Sequence, residues 1–162
     1  MKPNEKNKAV FLDRDGVLNR EVGDYIKHPD HFFLNDGIPE ALKKFRSENY
    51  LLIVITNQSG IAKGIYSFQQ LKAIHAKMIK ELGAFGIILD EIYYCPHHPL
   101  VSNCLCRKPG SLMLEKAIAR FNIDPAQSVF IGDAERDMDA AHSAGIRGIR
   151  IQPNARIDLL EF

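Results

Sequence analysis

The sequence predicts an α/β fold, a doubly wound, Rossmann-like and mostly parallel sheet flanked by helices, with no separate cap domain. Three observations predict it. Short apolar runs rich in β-branched residues alternate with longer stretches of helical period, the pattern of a parallel sheet covered on both faces. Those runs end in polar clusters, where a doubly wound sheet places its ligands. A chain of 162 residues that is 46% hydrophobic and 25% charged has the composition of an ordinary soluble domain, able to bury a core without a staple.

The strands are expected at residues 9–12, 51–55, 91–94, 128–131 and 148–151. Between the first two, Ile38, Ala41, Leu42 and Phe45 repeat at helical spacing behind Asp36-Gly37, read as the N-cap, with Pro39 in the first turn, where it is tolerated. Ser67 followed by Gln70 reads as a capping box, and Phe68, Leu71, Ile74, Met78 and Leu82 form the expected buried stripe, ended by Gly83. The third helix is expected to begin near Pro109, with Leu112, Met113, Ala117, Ile118 and Phe121 facing inward. The fourth follows Asp133 and ends near Gly145. No repeat or linker interrupts the pattern, so residues 1–162 are expected to form one domain. Residues 14–35 have no sustained period, and a long irregular excursion in a compact domain is expected to be a functional loop.

Lys plus Arg is 21 and Asp plus Glu is 20, a formal charge of +1, which argues against a protein that coats nucleic acid or an anionic membrane. Residues 1–8 are charged and lack the apolar stretch of a signal peptide, and no apolar run approaches the ~18 residues of a membrane span. A cytoplasmic location is expected. The three cysteines, an odd number within one short stretch, suit a metal site in a reducing compartment better than a disulfide framework.

The chemistry is expected at three strand ends. The first reads Phe11-Leu12-Asp13-Arg14-Asp15-Gly16, the second Ile55-Thr56-Asn57-Gln58-Ser59-Gly60, the fourth Phe130-Ile131-Gly132-Asp133. Asp13 and Asp15 project to one side of an extended chain, and Asp133 can join them from a neighbouring strand. Converging carboxylates raise one another's pKa unless a cation intervenes, so the arrangement implies a bound metal or a basic partner, and hard oxygen ligands suit Mg2+. Taken singly, each motif is also what a solvated turn or a helix N-cap looks like.

Taken together, the motifs resemble those of the haloacid dehalogenase superfamily of phosphotransferases, over nearly the whole chain. Asp13-Arg14-Asp15-Gly16 resembles its first motif, Thr56-Asn57-Gln58 its second, Lys108 in Arg-Lys-Pro its third, and Gly132-Asp133 with Asp137 its fourth. The resemblance implies that Asp13 is the nucleophile of an aspartyl-phosphate mechanism and Asp15 the general acid and then base. It implies that the Thr56 hydroxyl and nearby N–H groups hold phosphoryl oxygens while Lys108 balances their charge. Mg2+ would be held by Asp13, Asp133 and the backbone carbonyl of Asp15, with Asp137 supporting rather than ligating.

Cys95-Pro-His97 and Cys104-Leu-Cys106 supply four ligands in two close pairs, sufficient for tetrahedral Zn2+. The alternatives are three unrelated buried cysteines, or His98 in place of His97. Four protein ligands leave no open position, so the expected role is structural, folding the loop that carries Arg107 and Lys108. Cys-Pro-His-His-Pro followed by Cys-Leu-Cys-Arg-Lys-Pro is similar to the capless, zinc-containing branch that acts on D-glycero-D-manno-heptose 1,7-bisphosphate, at its 7-phosphate, or on histidinol phosphate. The longer matching stretches, Thr56 to Gly64 and Tyr93 to His98, favour the heptose bisphosphate, with histidinol phosphate as the alternative. By that resemblance Asn57, Gln58, Ser59 and Gly60 lie along the substrate, Arg107 helps to bind it, and residues 21–25 form a flap. The branch is commonly basic after the motif-four aspartate, where this chain has Ala134, and Arg136 is expected to face elsewhere. His28, His31, His75 and His142 are expected in surface or core roles. The domain is expected to act as a monomer on a small phosphorylated substrate. A catalytically idle, zinc-stabilised binding module is the reading from another class.

Overall fold

A computed structural model of the protein describes residues 6–161, so residues 1–5 of the charged N-terminal stretch lie outside the described part. Five strands, β1 (Lys8–Leu12), β2 (Tyr50–Asn57), β3 (Glu91–Cys95), β4 (Val129–Gly132) and β5 (Arg147–Arg150), form one sheet in the order β3-β2-β1-β4-β5. Every pairing is parallel. Four helices, α1 (Ile38–Ser47), α2 (Phe68–Ala84), α3 (Leu112–Phe121) and α4 (Glu135–Ser143), make the crossovers.

The three central strands, β1, β2 and β4, are apolar at successive positions because both their faces are covered. Val10 and Leu12 of β1, with Leu52 and Val54 of β2, pack with Ile38, Leu42 and Phe45 of α1 and Ile74 and Met78 of α2. The alternate residues Ala9, Phe11, Ile53 and Ile55 pack on the opposite face with Met113, Leu114 and Ala117 of α3 and Ala140 and Ala141 of α4. Burying each large aliphatic or aromatic side chain contributes ~1.5–3 kcal/mol, so the two apolar layers drive the sheet's closure between the helices. The chain winds outward from β1 through β2 to β3, then crosses to β4 and winds outward to β5. The order therefore reverses between β1 and β4, which opens a crevice at the carboxyl ends of those strands.

Several boundaries differ from the sequence expectation. The N-cap of α1 is Gly37 alone, at φ 80°, with no side-chain cap from Asp36. The Ser67–Gln70 capping box forms, but Phe68 is exposed at the first turn, and α2 runs through Gly83 because Gly86, at φ 75°, ends the turn that follows. Helix α3 starts at Leu112 rather than near Pro109, since Gly110 donates back to the Arg107 carbonyl at 2.8 Å and closes a turn first. Strand β5 lies one residue earlier than its apolar run suggests, an exposed edge strand with arginine at each end. Residues 14–35 are irregular but packed: Val17, Leu18, Ile26 and Phe32 are buried, and Asn35 Nδ2 donates to the Val17 and Asn19 carbonyls at 2.9 and 3.2 Å. No described helix is long and apolar enough to cross a membrane.

Candidate active site

The crevice between β1 and β4 is where the acids converge. Past the end of β1, the Asp13 N–H still donates to the Ile131 carbonyl at 3.0 Å, so the ladder holds the backbone of Asp13 while its side chain enters the crevice. The chain then turns sharply, with the N–H groups of Leu18 and Asn19 donating to the Arg14 carbonyl. Gly16 makes this turn at φ 81°, and a Cβ there would stand 2.2 Å from Asp133 Oδ2. Glycine at this position is what lets Asp133, at the end of β4, approach the first motif.

Asp13, Asp133 and Asp137 bring carboxylate oxygens within 4.8 Å of one another. Lys108 reaches into the same group from the loop after β3. Its ammonium lies 3.0 Å from Asp13 Oδ1 and 2.7 Å from Asp137 Oδ1, and it donates to the Ile55 carbonyl at 2.9 Å. Two carboxylates and a backbone carbonyl thus surround an ammonium whose residue is 1% exposed, the compensation that burying a lysine requires. The Ala134 N–H donates to the other Asp137 oxygen at 3.1 Å, while Asp137 Oδ1, with no hydrogen-bond donor, faces only the Lys108 ammonium. One cation does not balance three acids: burial, partly offset by Lys108 and reinforced by Asp137 and Asp15, pushes Asp13 up to about 6. Burial and Asp137 likewise raise Asp133.

Asp15 is held differently. Arg14, completely buried, donates through Nη2 to both oxygens at 2.9 and 3.0 Å and through Nε at 3.2 Å. Asn19 Nδ2 and Gln58 Nε2 donate at 3.0 and 2.9 Å. Burial works to raise this carboxyl, but Arg14 and these hydrogen bonds outweigh it and hold Asp15 below the usual carboxylate range. Behind Arg14, His75 Nε2 lies 3.4 Å from its Nη1, and burial together with that guanidinium lowers the imidazole to about 4.

A cavity of about 430 Å³ opens over the acids. Asp13, Asp15 and Asp133 lie at its base. Lys63, Arg107, His98 and Arg136 supply positive or polar groups to its walls, and residues 21, 23, 24, 25 and 26 of the irregular loop form another side. Lys63 Nζ donates to the Tyr25 hydroxyl at 3.0 Å. Ser59, then Lys63, hold the proton affinity of that hydroxyl below its ordinary value. Asn154 ties the flap down, accepting from the Glu21 N–H at 2.7 Å and donating to its carbonyl at 3.0 Å.

The expected substrate residues divide. Asn57, Gln58, Ser59 and Arg107 line the cavity. Yet Asn57 uses its amide on the backbone of Lys108, and Gln58, 2% exposed, uses its own on Asp15, Thr56 and Tyr66. Gly60 does not line the cavity, because the Tyr66 ring covers it; an added Cβ would stand 2.1 Å from that ring. Thr56 and Lys108 lie beneath the cavity floor, each 1% exposed. Arg136 departs from expectation by lining the cavity: with Ala134 as an extended N-cap, it falls in the first turn of α4, at the crevice. Arg14, His75 and Tyr66 carried no motif signal, since their partners are distant in sequence or hidden inside the motif itself.

The Cys95, His97, Cys104 and Cys106 ligand atoms also lie within 4.8 Å of one another, and His97 takes the fourth place rather than His98. The cysteines are free thiols, with Cys106 Sγ 3.0 Å from Cys95 Sγ and 3.3 Å from His97 Nδ1. Arg107 donates to the His97 carbonyl at 3.2 Å, so the loop after the cluster is tied to it.

Residues 4–145 match the family model of the haloacid dehalogenase-like hydrolases. The chain is 46% identical over 146 residues to the D-glycero-beta-D-manno-heptose-1,7-bisphosphate 7-phosphatase of Haemophilus ducreyi, covering 86% of this chain and 80% of that one. It is 44% identical over 141 residues to the D-glycero-alpha-D-manno-heptose-1,7-bisphosphate 7-phosphatase of Campylobacter jejuni, covering 87% and 80%. In structure it is similar to the D,D-heptose 1,7-bisphosphate phosphatase of B. bronchiseptica complexed with magnesium and phosphate. The TM-score is 0.82 at 36% identity, covering 87% of this chain and 78% of that one.

Proposed function

Because the chain belongs to the haloacid dehalogenase-like hydrolases and is a phosphatase, we propose that it removes the 7-phosphate of D-glycero-D-manno-heptose 1,7-bisphosphate. The observation that carries this reading is the meeting of Asp13, Asp15, Asp133 and Lys108 at the β1/β4 crevice, under a cavity walled by Lys63, Arg107 and Arg136. A phosphomonoester suits the acid end, and a second phosphate suits the basic wall. Relatives named for the β and the α anomer support removal of the 7-phosphate in either case.

In the first half reaction an Asp13 oxygen bonds to phosphorus as the bond from phosphorus to the sugar oxygen breaks, and Asp15 gives that oxygen a proton. In the second, water attacks the aspartyl phosphate, Asp15 takes a proton from it, and inorganic phosphate leaves. Arg14 keeps Asp15 ionised in the free protein, so the proton it gives is one taken up from solvent as the negative charge of the arriving phosphate moves its proton affinity back up. Lys108 offsets the charge on Asp13 and on the oxygens that approach it. The hard oxygen donors of Asp13 and Asp133, too many for one lysine to neutralise, fit Mg2+, with the backbone carbonyl of Asp15 as a third ligand and Asp137 anchoring Lys108. When bound, the ion withdraws charge from the phosphoryl group. Cys95, His97, Cys104 and Cys106 fit Zn2+ in a structural role, since sulfur and imidazole donors within one small sphere leave no position open.

A phosphate-release screen over the heptose bisphosphate, histidinol phosphate and unrelated sugar phosphates tests the reading. The heptose bisphosphate is expected to give the highest kcat/KM, and release from none of them contradicts it.

A further inference from the structure

The stretch after β2 folds back on itself. Gly60 accepts from the Ile65 N–H at 2.8 Å and Gly64 turns at φ 67°, which returns Tyr66 onto Gly60. The ring lies where a Gly60 side chain would be, and Tyr66 is buried. Its hydroxyl donates to Gln58 Oε1 at 2.6 Å. The amide nitrogen of Gln58 is thereby turned toward the acids and donates both its hydrogens, to Asp15 Oδ2 and to Thr56 Oγ1, each at 2.9 Å. Since Thr56 Oγ1 accepts from Gln58, its own hydrogen is left for another acceptor. Were the amide reversed, its carbonyl would face the Asp15 carboxylate, acceptor against acceptor.

We propose that Tyr66 is a positioning residue: through Gln58 it holds the Asp15 carboxylate in the orientation that proton transfer to the leaving oxygen uses. Burial raises the phenol to about 12, so it remains a donor throughout the neutral range. The inference rests on the role of Asp15 proposed above.

The test compares kcat/KM for heptose 1,7-bisphosphate, whose alkoxide leaving group needs a proton, with that for p-nitrophenyl phosphate, whose phenolate leaves with little help. Tyr66→Phe keeps the ring and removes the hydroxyl. It is expected to lower kcat/KM for the sugar phosphate ~10- to 100-fold, less than the ~10²–10⁴ that general acid catalysis supplies, and to lower it for the aryl phosphate by no more than ~3-fold. Gly60→Ala, which must displace the ring, is expected to show the same selective loss with the hydroxyl still present. Asp15→Asn, as reference, shows a larger loss of the same selectivity, and adding Tyr66→Phe to it changes little. If Asp15→Asn is selective while Tyr66→Phe is unaffected, or is slowed equally on both substrates, the inference about Tyr66 is overturned alone. If Asp15→Asn itself shows no selective loss, the role of Asp15 falls and the inference falls with it.

Discussion

The side chain of Asn57 pairs with the backbone of Lys108 in both directions, accepting from its N–H at 3.0 Å and donating to its carbonyl at 3.1 Å. This joins the end of β2 to the loop that follows the Cys/His cluster, so the cation facing Asp13 is held from the backbone as well as by its ammonium contacts. Asn57→Ala removes both bonds, each worth ~0.5–1.5 kcal/mol. The expected result is ~1–2 kcal/mol lower stability and a kcat reduced at least tenfold, measured by denaturant unfolding and steady-state kinetics.

Asp13→Asn removes the proposed nucleophile without removing a core contact. Turnover is expected to fall by at least ~10⁴-fold, on the scale seen when a covalent nucleophile is lost, while the melting temperature stays within ~5 °C. EDTA is expected to stop the native protein and Mg2+ to restore it. Near-normal phosphate release from folded Asp13→Asn contradicts the mechanism.

One zinc is expected per chain, and Cys106→Ser is expected to release it and to lower activity by letting Arg107 and Lys108 drift. Elemental analysis and kinetics on protein purified without chelator check this. Full activity with no zinc in the native protein contradicts it.

His75 provides a pH test of the fold. Its folded pKa, about 4, lies below the ordinary 6.5, so the neutral ring contributes stability that is present above pH 6.5 and lost as pH falls toward 4. His75→Gln removes the titrating group. Between pH 7.5 and 5 the native protein is expected to lose more unfolding free energy than the variant, by at most ~2 kcal/mol. Parallel slopes contradict a half-buried imidazole held neutral.

Much of the fold was legible because local chemistry and packing agree. The β-branched runs became strands, the central three covered on both faces, and Ser67 with Gln70 capped α2 as their spacing implied. Boundaries moved where tertiary contacts won over local pattern, as at Gly110 and at the edge strand β5. In the site, Asp13, Asp133 and Lys108 could be placed at one edge from their motifs, as could the four Cys/His ligands. The partnerships could not. That Asn57 and Gln58 bind protein groups rather than facing the cavity freely depends on Lys108 and Tyr66, which reach them by chain reversal. Arg136 lines the cavity because the cap residue, Ala134, is extended and sets the rotation of α4, a detail that helical spacing alone does not fix.

The measurement that tests the central claim most directly is 31P NMR of the reaction on heptose 1,7-bisphosphate, run beside histidinol phosphate under matched Mg2+ and pH. The likeness to the 7-phosphatases predicts release of the 7-phosphate with the 1-phosphate retained, and the basic wall suits that second phosphate. Together they predict a kcat/KM at least ~10-fold above that for histidinol phosphate, the difference that ~1.4 kcal/mol of hydrogen bonding provides. Release of the 1-phosphate, or equal or better hydrolysis of histidinol phosphate, would contradict the substrate assignment.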